Sequence, residues 1–177
     1  MNQGFSGQEI YDMLKANPVT RKAFLDVFSV DTINHAAIKR GLKRTKNNAI
    51  PTCCIVNTGD SNDPTGEHWV GVAFALTAGN GIVCYYFDSY GFGPVQPNMY
   101  DLVTGYTKYR KYNAKMIQDL KDDKSVACGF YAIFFVWSVC MGYTLKDILL
   151  ELDLFGTNYK ANDHFVMDFV KEFINNA

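Results

Sequence analysis

Hydrophobic positions near the N-terminus recur at helical spacing. Ile10, Met13 and Leu14 fall on one face behind Ser6 and Glu9, which have the spacing of a capping box, and Pro18 ends the run. A second short helix is expected over Thr20 to Val27, with Phe24 and Leu25 inward. A third is expected from a cap at Asp31 to Arg40, stopped by Gly41. The polar, basic stretch from Lys43 to Asn48 reads as a solvated loop. The period then changes to two. Thr52 to Asn57 suits a buried strand, and Thr58 to Gly66 a turn-rich loop. His68 to Leu76 and Ile82 to Asp88 suit two strands joined by a Gly79-Asn80-Gly81 hairpin turn. Tyr112 to Ile117 reads as a fourth strand. Helices return over Cys128 to Met141, Leu145 to Leu154 and Asp163 to Ile174, where Phe165, Phe169 and Phe173 form a core stripe. Helices, then strands, then helices predict an α+β fold, a central mixed sheet flanked by helices.

Composition narrows the picture. The 177 residues are 48% hydrophobic, enough for one domain over 1–177 with one sizeable core. Seventeen basic residues against 18 acidic give a net charge of −1, so nucleic-acid binding has no support from charge. From Ser125 to Leu145 no residue is charged, a length that would span a bilayer. Its serines, tyrosines, glycines and cysteines, in a chain of globular composition, read as a buried core helix, so no membrane partner is expected. The five cysteines are odd in number and form no C-x-x-C pair or metal-ligand spacing. With no signal-peptide pattern at Met1 to Phe5, this implies a reducing intracellular compartment and a protein that is not secreted.

Three features carry candidate chemistry. His68-Trp69 opens a strand after a glycine-containing loop, where a histidine is as readily structural as functional. Asp88 closes the next strand, where an aspartate also suits a turn. Cys128 stands where a polar loop gives way to the apolar helix. The positive end of a helix dipole favours negative charge there, and unpaired backbone N–H groups can donate to an oxyanion. Cys53, Cys84 and Cys140 read as packing residues. Together His68, Asp88 and Cys128 make a base, an orienting carboxylate and a nucleophile. The hairpin would bring the first two to one end of a strand pair. His35 and His164 read as structural or solvated.

Four segments carry a resemblance: Cys54-Ile55-Val56-Asn57-Thr58-Gly59, Gly66-Glu67-His68-Trp69, Cys84-Tyr85-Tyr86-Phe87-Asp88 with Gly91-Phe92, and Ser125-Val126-Ala127-Cys128-Gly129-Phe130. In this order and spacing the chain resembles the adenain-like cysteine endopeptidases, the adenovirus maturation proteases, in the clan of the SUMO-specific proteases. The resemblance covers roughly the first 140 residues. It implies a thiol protease whose triad is His68, Asp88 and Cys128, with an oxyanion glutamine before the cysteine. Gln118, ten residues upstream, is the candidate, and an enlarged loop through Asp122-Asp123-Lys124 would absorb a gap wider than the family's usual one.

The resemblance further implies cleavage of viral precursor (capsid or core) proteins at small, glycine-containing sites during virion maturation. The expected location is the virion and the infected host cell. Trp69 would wall a narrow cleft or else belong to the core. Activation by a disulfide-linked peptide and by DNA is also implied. Yet no cysteine lies between Cys84 and Cys128, and the charge lends DNA no support. The expectation is therefore a monomer that needs no cofactor, or a non-covalent activator. The alternatives are a protease that removes SUMO or another ubiquitin-like modifier, a silent binding domain of the same fold, and a thiol redox protein, which lacks a resolving cysteine. Asn2-Gln3-Gly4-Phe5 faintly resembles a site such proteases cut.

Overall fold

The computed structural model describes residues 4–62, 68–79, 81–119 and 126–175. In chain order the elements are α1 (Gly7–Ala16), β1 (Phe24–Ser29), α2 (His35–Asn48), β2 (Thr52–Asn57), β3 (Trp69–Leu76) and β4 (Ile82–Phe87). There follow α3 (Pro97–Thr104), β5 (Tyr109–Tyr112), α4 (Cys128–Cys140), α5 (Leu145–Asp153) and α6 (Tyr159–Asn175). Among the described residues the strands form one sheet in the order β1-β2-β3-β4-β5. The outer pairs are parallel and the inner two antiparallel, so the sheet is mixed and the fold is α+β.

Period-two alternation sorts the sheet into two cores. Ile55, Ala73, Val83, Tyr85 and Phe87 face α1, α4, α5 and α6. Val56, Val70, Val72, Cys84 and Tyr86 face α2 and α3. Helix α4 lies against the middle of the first face, where Phe135 stacks on Phe87 with ring centres 5.0 Å apart. It comes so close to β3 that a Cβ on Gly71 would fall 2.3 Å from the Phe135 ring. That burial accounts for the apolar character of α4, and the chain leaves the helix at Gly142, in a left-handed conformation at φ 93. Among the described residues no helix is long and apolar enough to cross a membrane.

Several sequence expectations need correction. Thr20 to Val27 is not a helix; its second half opens β1, where Phe24 pairs with Cys53. Phe24 and Val27 suit a strand, and a parallel neighbour offers the ladder that so short a helix could not replace. A register irregularity between Phe24 and Val27 then lets Phe24 enter one core and Phe28 the other. Helix α2 is capped by Asn34, whose side chain accepts from the Ala37 N–H at 3.0 Å, and not by Asp31. Gly41 does not stop it. A Cβ there would lie 2.5 Å from Thr52, so glycine marks close helix–strand packing, and α2 continues through Lys43 to Asn48. The fourth strand of the reading falls earlier, at Tyr109–Tyr112, and α3 was not anticipated. Helix α6 begins four residues before Asp163. The capping box of α1, the other strands, α4 and α5 stand close to where the pattern put them. Asn80 of the hairpin turn, Gly66-Glu67 and the Asp122-Asp123-Lys124 loop lie outside the described residues.

Candidate active site

The antiparallel β3–β4 pair carries the first two candidates. Gly71 is opposite Phe87, so His68 just before β3 and Asp88 just after β4 emerge at the same end. His68 Nε2 lies 2.7 Å from Asp88 Oδ1, and both residues are buried. The same carboxylate oxygen accepts the Tyr90 N–H at 2.8 Å. Asn113, after β5, grips the backbone of Asp88 from both sides. Its Oδ1 accepts the Asp88 N–H at 2.9 Å, and its Nδ2 donates to the Asp88 carbonyl. Gly91 closes the turn at φ 78, with its N–H donating to the Asp88 carbonyl at 2.8 Å. A Cβ there would sit 2.7 Å from the backbone of Lys115 and Met116, so only glycine fits.

Cys128 begins α4, is half-buried, and follows Ala127, which provides no side-chain cap to the first helical N–H groups. It lies beside the imidazole. Burial pushes His68 towards its neutral form, but the bond to Asp88 and the nearness of Cys128 outweigh this and raise the pKa to about 9. With Nε2 committed to Asp88, the other ring nitrogen, Nδ1, is buried and makes no hydrogen bond among the described residues. The His68–Cys128 approach is therefore a close contact, not a hydrogen bond of regular geometry, as is common in a substrate-free thiol–imidazole pair. Cys54, by contrast, is pushed by burial to about 12, and Cys53 and Cys84 are raised as well.

Gln118 is buried below the same turn. Its Oε1 accepts from Ser89 Oγ at 2.5 Å, and the N–H groups of Ile117 and Gln118 donate to the Ser89 carbonyl at 3.0 and 3.3 Å. From the other side, Tyr131 Oη and Asn162 Nδ2 each lie 2.9 Å from the Ile117 carbonyl, and Tyr131 Oη is also 2.9 Å from Asp163 Oδ1. Burial lifts Asp163 to about 6. Trp69 is half-buried and turned to the α4 side, its indole N–H donating to the Phe5 carbonyl at 3.2 Å. A Cβ on Gly129 would come within 3.5 Å of the Trp69 ring, so the indole stands next to the start of α4. Among the described residues no group of histidine, cysteine or carboxylate side chains could hold a metal ion.

Residue-by-residue reading passed over Tyr90, Ser89 and Asn113. Tyr90 stacks on the His68 ring at 3.9 Å, nearly parallel. Its signal was available: continuing the register of the β3–β4 hairpin sets position 90 against position 68. Asn113 had none, because its role depends on where β5 ends.

No protein-family model and no curated protein matches the sequence. Among solved structures, the chain is similar to the central domain of the Lpg1148 protein from Legionella pneumophila. The TM-score is 0.52 at 12% identity, over 97% of this chain and 99% of that one. That likeness shows a shared fold. Looser overlaps occur with the SUMO protease Ulp1, its catalytic cysteine oxidised to a sulfinic acid (TM-score 0.46, 12% identity, 98% and 80% covered). They occur also with the Xanthomonas campestris effector XopD bound to ubiquitin (TM-score 0.41, 14% identity, 94% and 83% covered).

Proposed function

We propose that the chain is a cysteine endopeptidase. The observation that carries this is the His68 ring: one nitrogen is held by Asp88, and the other, buried and with no hydrogen-bond partner among the described residues, lies beside Cys128 at the N-terminus of α4. His68 takes the thiol proton, and Asp88 fixes the tautomer and stabilises the imidazolium. Cys128 sulfur attacks the scissile carbonyl. The oxyanion is received by the Cys128 N–H and the Gln118 amide, His68 protonates the leaving amine, and water hydrolyses the thioester. Trp69, next to Gly129, walls the acyl side and favours glycine before the cut. The resemblance of the motifs supports viral precursor proteins as substrates, with the virion and infected cell as the setting. The chain works as a monomer without a bound cofactor.

The test needs no substrate. At pH 6, iodoacetamide is expected to label Cys128 ahead of the other four cysteines, and His68→Ala is expected to abolish that advantage, both read by mass spectrometry. Slow labelling that ignores His68 would sink the reading. A Gly-Gly peptide and a modifier conjugate, each bearing aminomethylcoumarin, then sort substrate class: a large advantage for the conjugate would replace precursor proteins by ubiquitin-like modifiers.

A further inference from the structure

On the Asp88 and Tyr90 side of the imidazole the fold leaves a cleft of about 360 Å³, walled by His68, Tyr90, Phe92, Val95 and Met99. Two of the polar residues that line it are engaged. Asp88 Oδ1 is held by His68 and the Tyr90 N–H, and Gln96 Nε2 donates to the Thr58 carbonyl at 2.8 Å. The walls left most open to solvent are apolar. Phe92 is 63% exposed and Val95 86%, although Met99 at the cleft floor is 1% exposed. Adjacent large apolar side chains left in solvent beside a buried ion pair mark a binding surface. Gly93 keeps one wall low, since a Cβ there would meet no atom within 4 Å.

The chemistry decides which part of a substrate reaches this cleft. The acyl half must bond to Cys128 and set its oxygen at the start of α4. The amine half departs with a proton from His68, so it is the half that runs past the imidazole and its stacked Tyr90. We propose that the cleft binds the amine half of the substrate and selects an apolar or aromatic side chain just after the scissile bond. This rests on the protease reading and extends it to specificity, with Phe92, Val95 and the gap at Gly93 as its determinants. A carboxylate side chain would give up its hydration against these apolar walls.

The test uses product-like peptides with a free N-terminus, Phe-Ala-Ala-amide and Glu-Ala-Ala-amide. Each is titrated into the full chain bearing Cys128→Ala and followed by amide chemical shifts. The Phe peptide is expected to bind about tenfold or more tightly than the Glu peptide, the range that one well-fitted apolar side chain commands. Shifts should centre on Phe92, Gly93 and Val95. Gly93→Trp, which fills the cleft without straining the backbone, and Val95→Asp should each remove the preference. Equal binding of the two peptides, no saturation at millimolar concentration, or a preference that survives Gly93→Trp overturns the proposal. Cys128 labelling separates the two ideas. Fast, His68-dependent labelling without peptide selectivity rejects the subsite alone. Slow labelling rejects the protease, and with it the assignment of the cleft to a leaving half.

Discussion

At the scale of single residues, the candidate site depends on groups that touch no substrate. Asp88 can orient His68 only while its own backbone is held, and Asn113 holds both its N–H and its carbonyl. Asn113→Ala strands the buried Asp88 N–H, which costs about 1–3 kcal/mol when unsatisfied, and leaves the Asp88 carbonyl to the Gly91 N–H alone. A lower urea midpoint is expected. So is a fall in kcat on a Gly-Gly–aminomethylcoumarin peptide with KM little changed, because the base is misaligned while the binding walls stay. An Asn113→Ala variant with normal kcat would show that Asp88 needs no such support. On the proposed mechanism, Gln118→Ala would remove a donor from the oxyanion and should lower kcat about 100–1,000-fold. Ser89→Ala, which removes the hydroxyl that donates to the Gln118 side-chain carbonyl, should produce a smaller loss of the same kind. A purely structural Gln118 would instead lower the urea midpoint and leave kcat alone.

At the scale of elements, packing decided what local pattern left open. Thr20 to Val27 could be helix by spacing, and only the parallel ladder to β2 makes part of it a strand. Gly41 looks like a helix stop in isolation, yet it is the point where α2 meets Thr52. Where a pattern was long, as in β2, β3, β4 and α4, the sequence was enough. The pairing of His68 with Asp88 was legible because a hairpin fixes both ends of its strands. Asn113 and the Tyr131–Asp163 contact were not, since they link segments far apart in the chain. Gly71 is the element-scale test. A methyl there would overlap the Phe135 ring, and overpacking of this kind costs about 1–3 kcal/mol. Gly71→Ala is expected to lower the urea midpoint by that measure and to shift α4 relative to β3. Because α4 begins at Cys128, His68-dependent labelling should weaken in the same variant. Unchanged stability would mean that the α4–β3 contact opens far enough to admit a methyl group.

At the scale of the whole molecule, the site lies at the seam where strand ends from the sheet meet the first turn of α4. An ion pair buried there links the chemistry to stability. The folded pKa of His68, about 9, lies above its ordinary value of 6.5. A raised basic group contributes fully below the unfolded value and loses that contribution as pH climbs through the folded one. The window is therefore pH 6.5 to 9, with a contribution on the order of 3 kcal/mol at its acid end. Asp163 acts lower on the scale. Its pKa is raised from 3.8 to about 6, so its ionisation weakens the fold as pH rises between those values. Urea midpoints from pH 4 to 10 should decline in two separate steps. Asp163→Asn is expected to remove the first and His68→Gln the second, while Cys128→Ala should narrow the second, since part of the shift at His68 comes from the cysteine beside it. A wild-type midpoint flat between pH 6.5 and 9 would mean that His68 carries no charge in the fold. The imidazolium that the proposed mechanism requires would then have to form only on substrate binding.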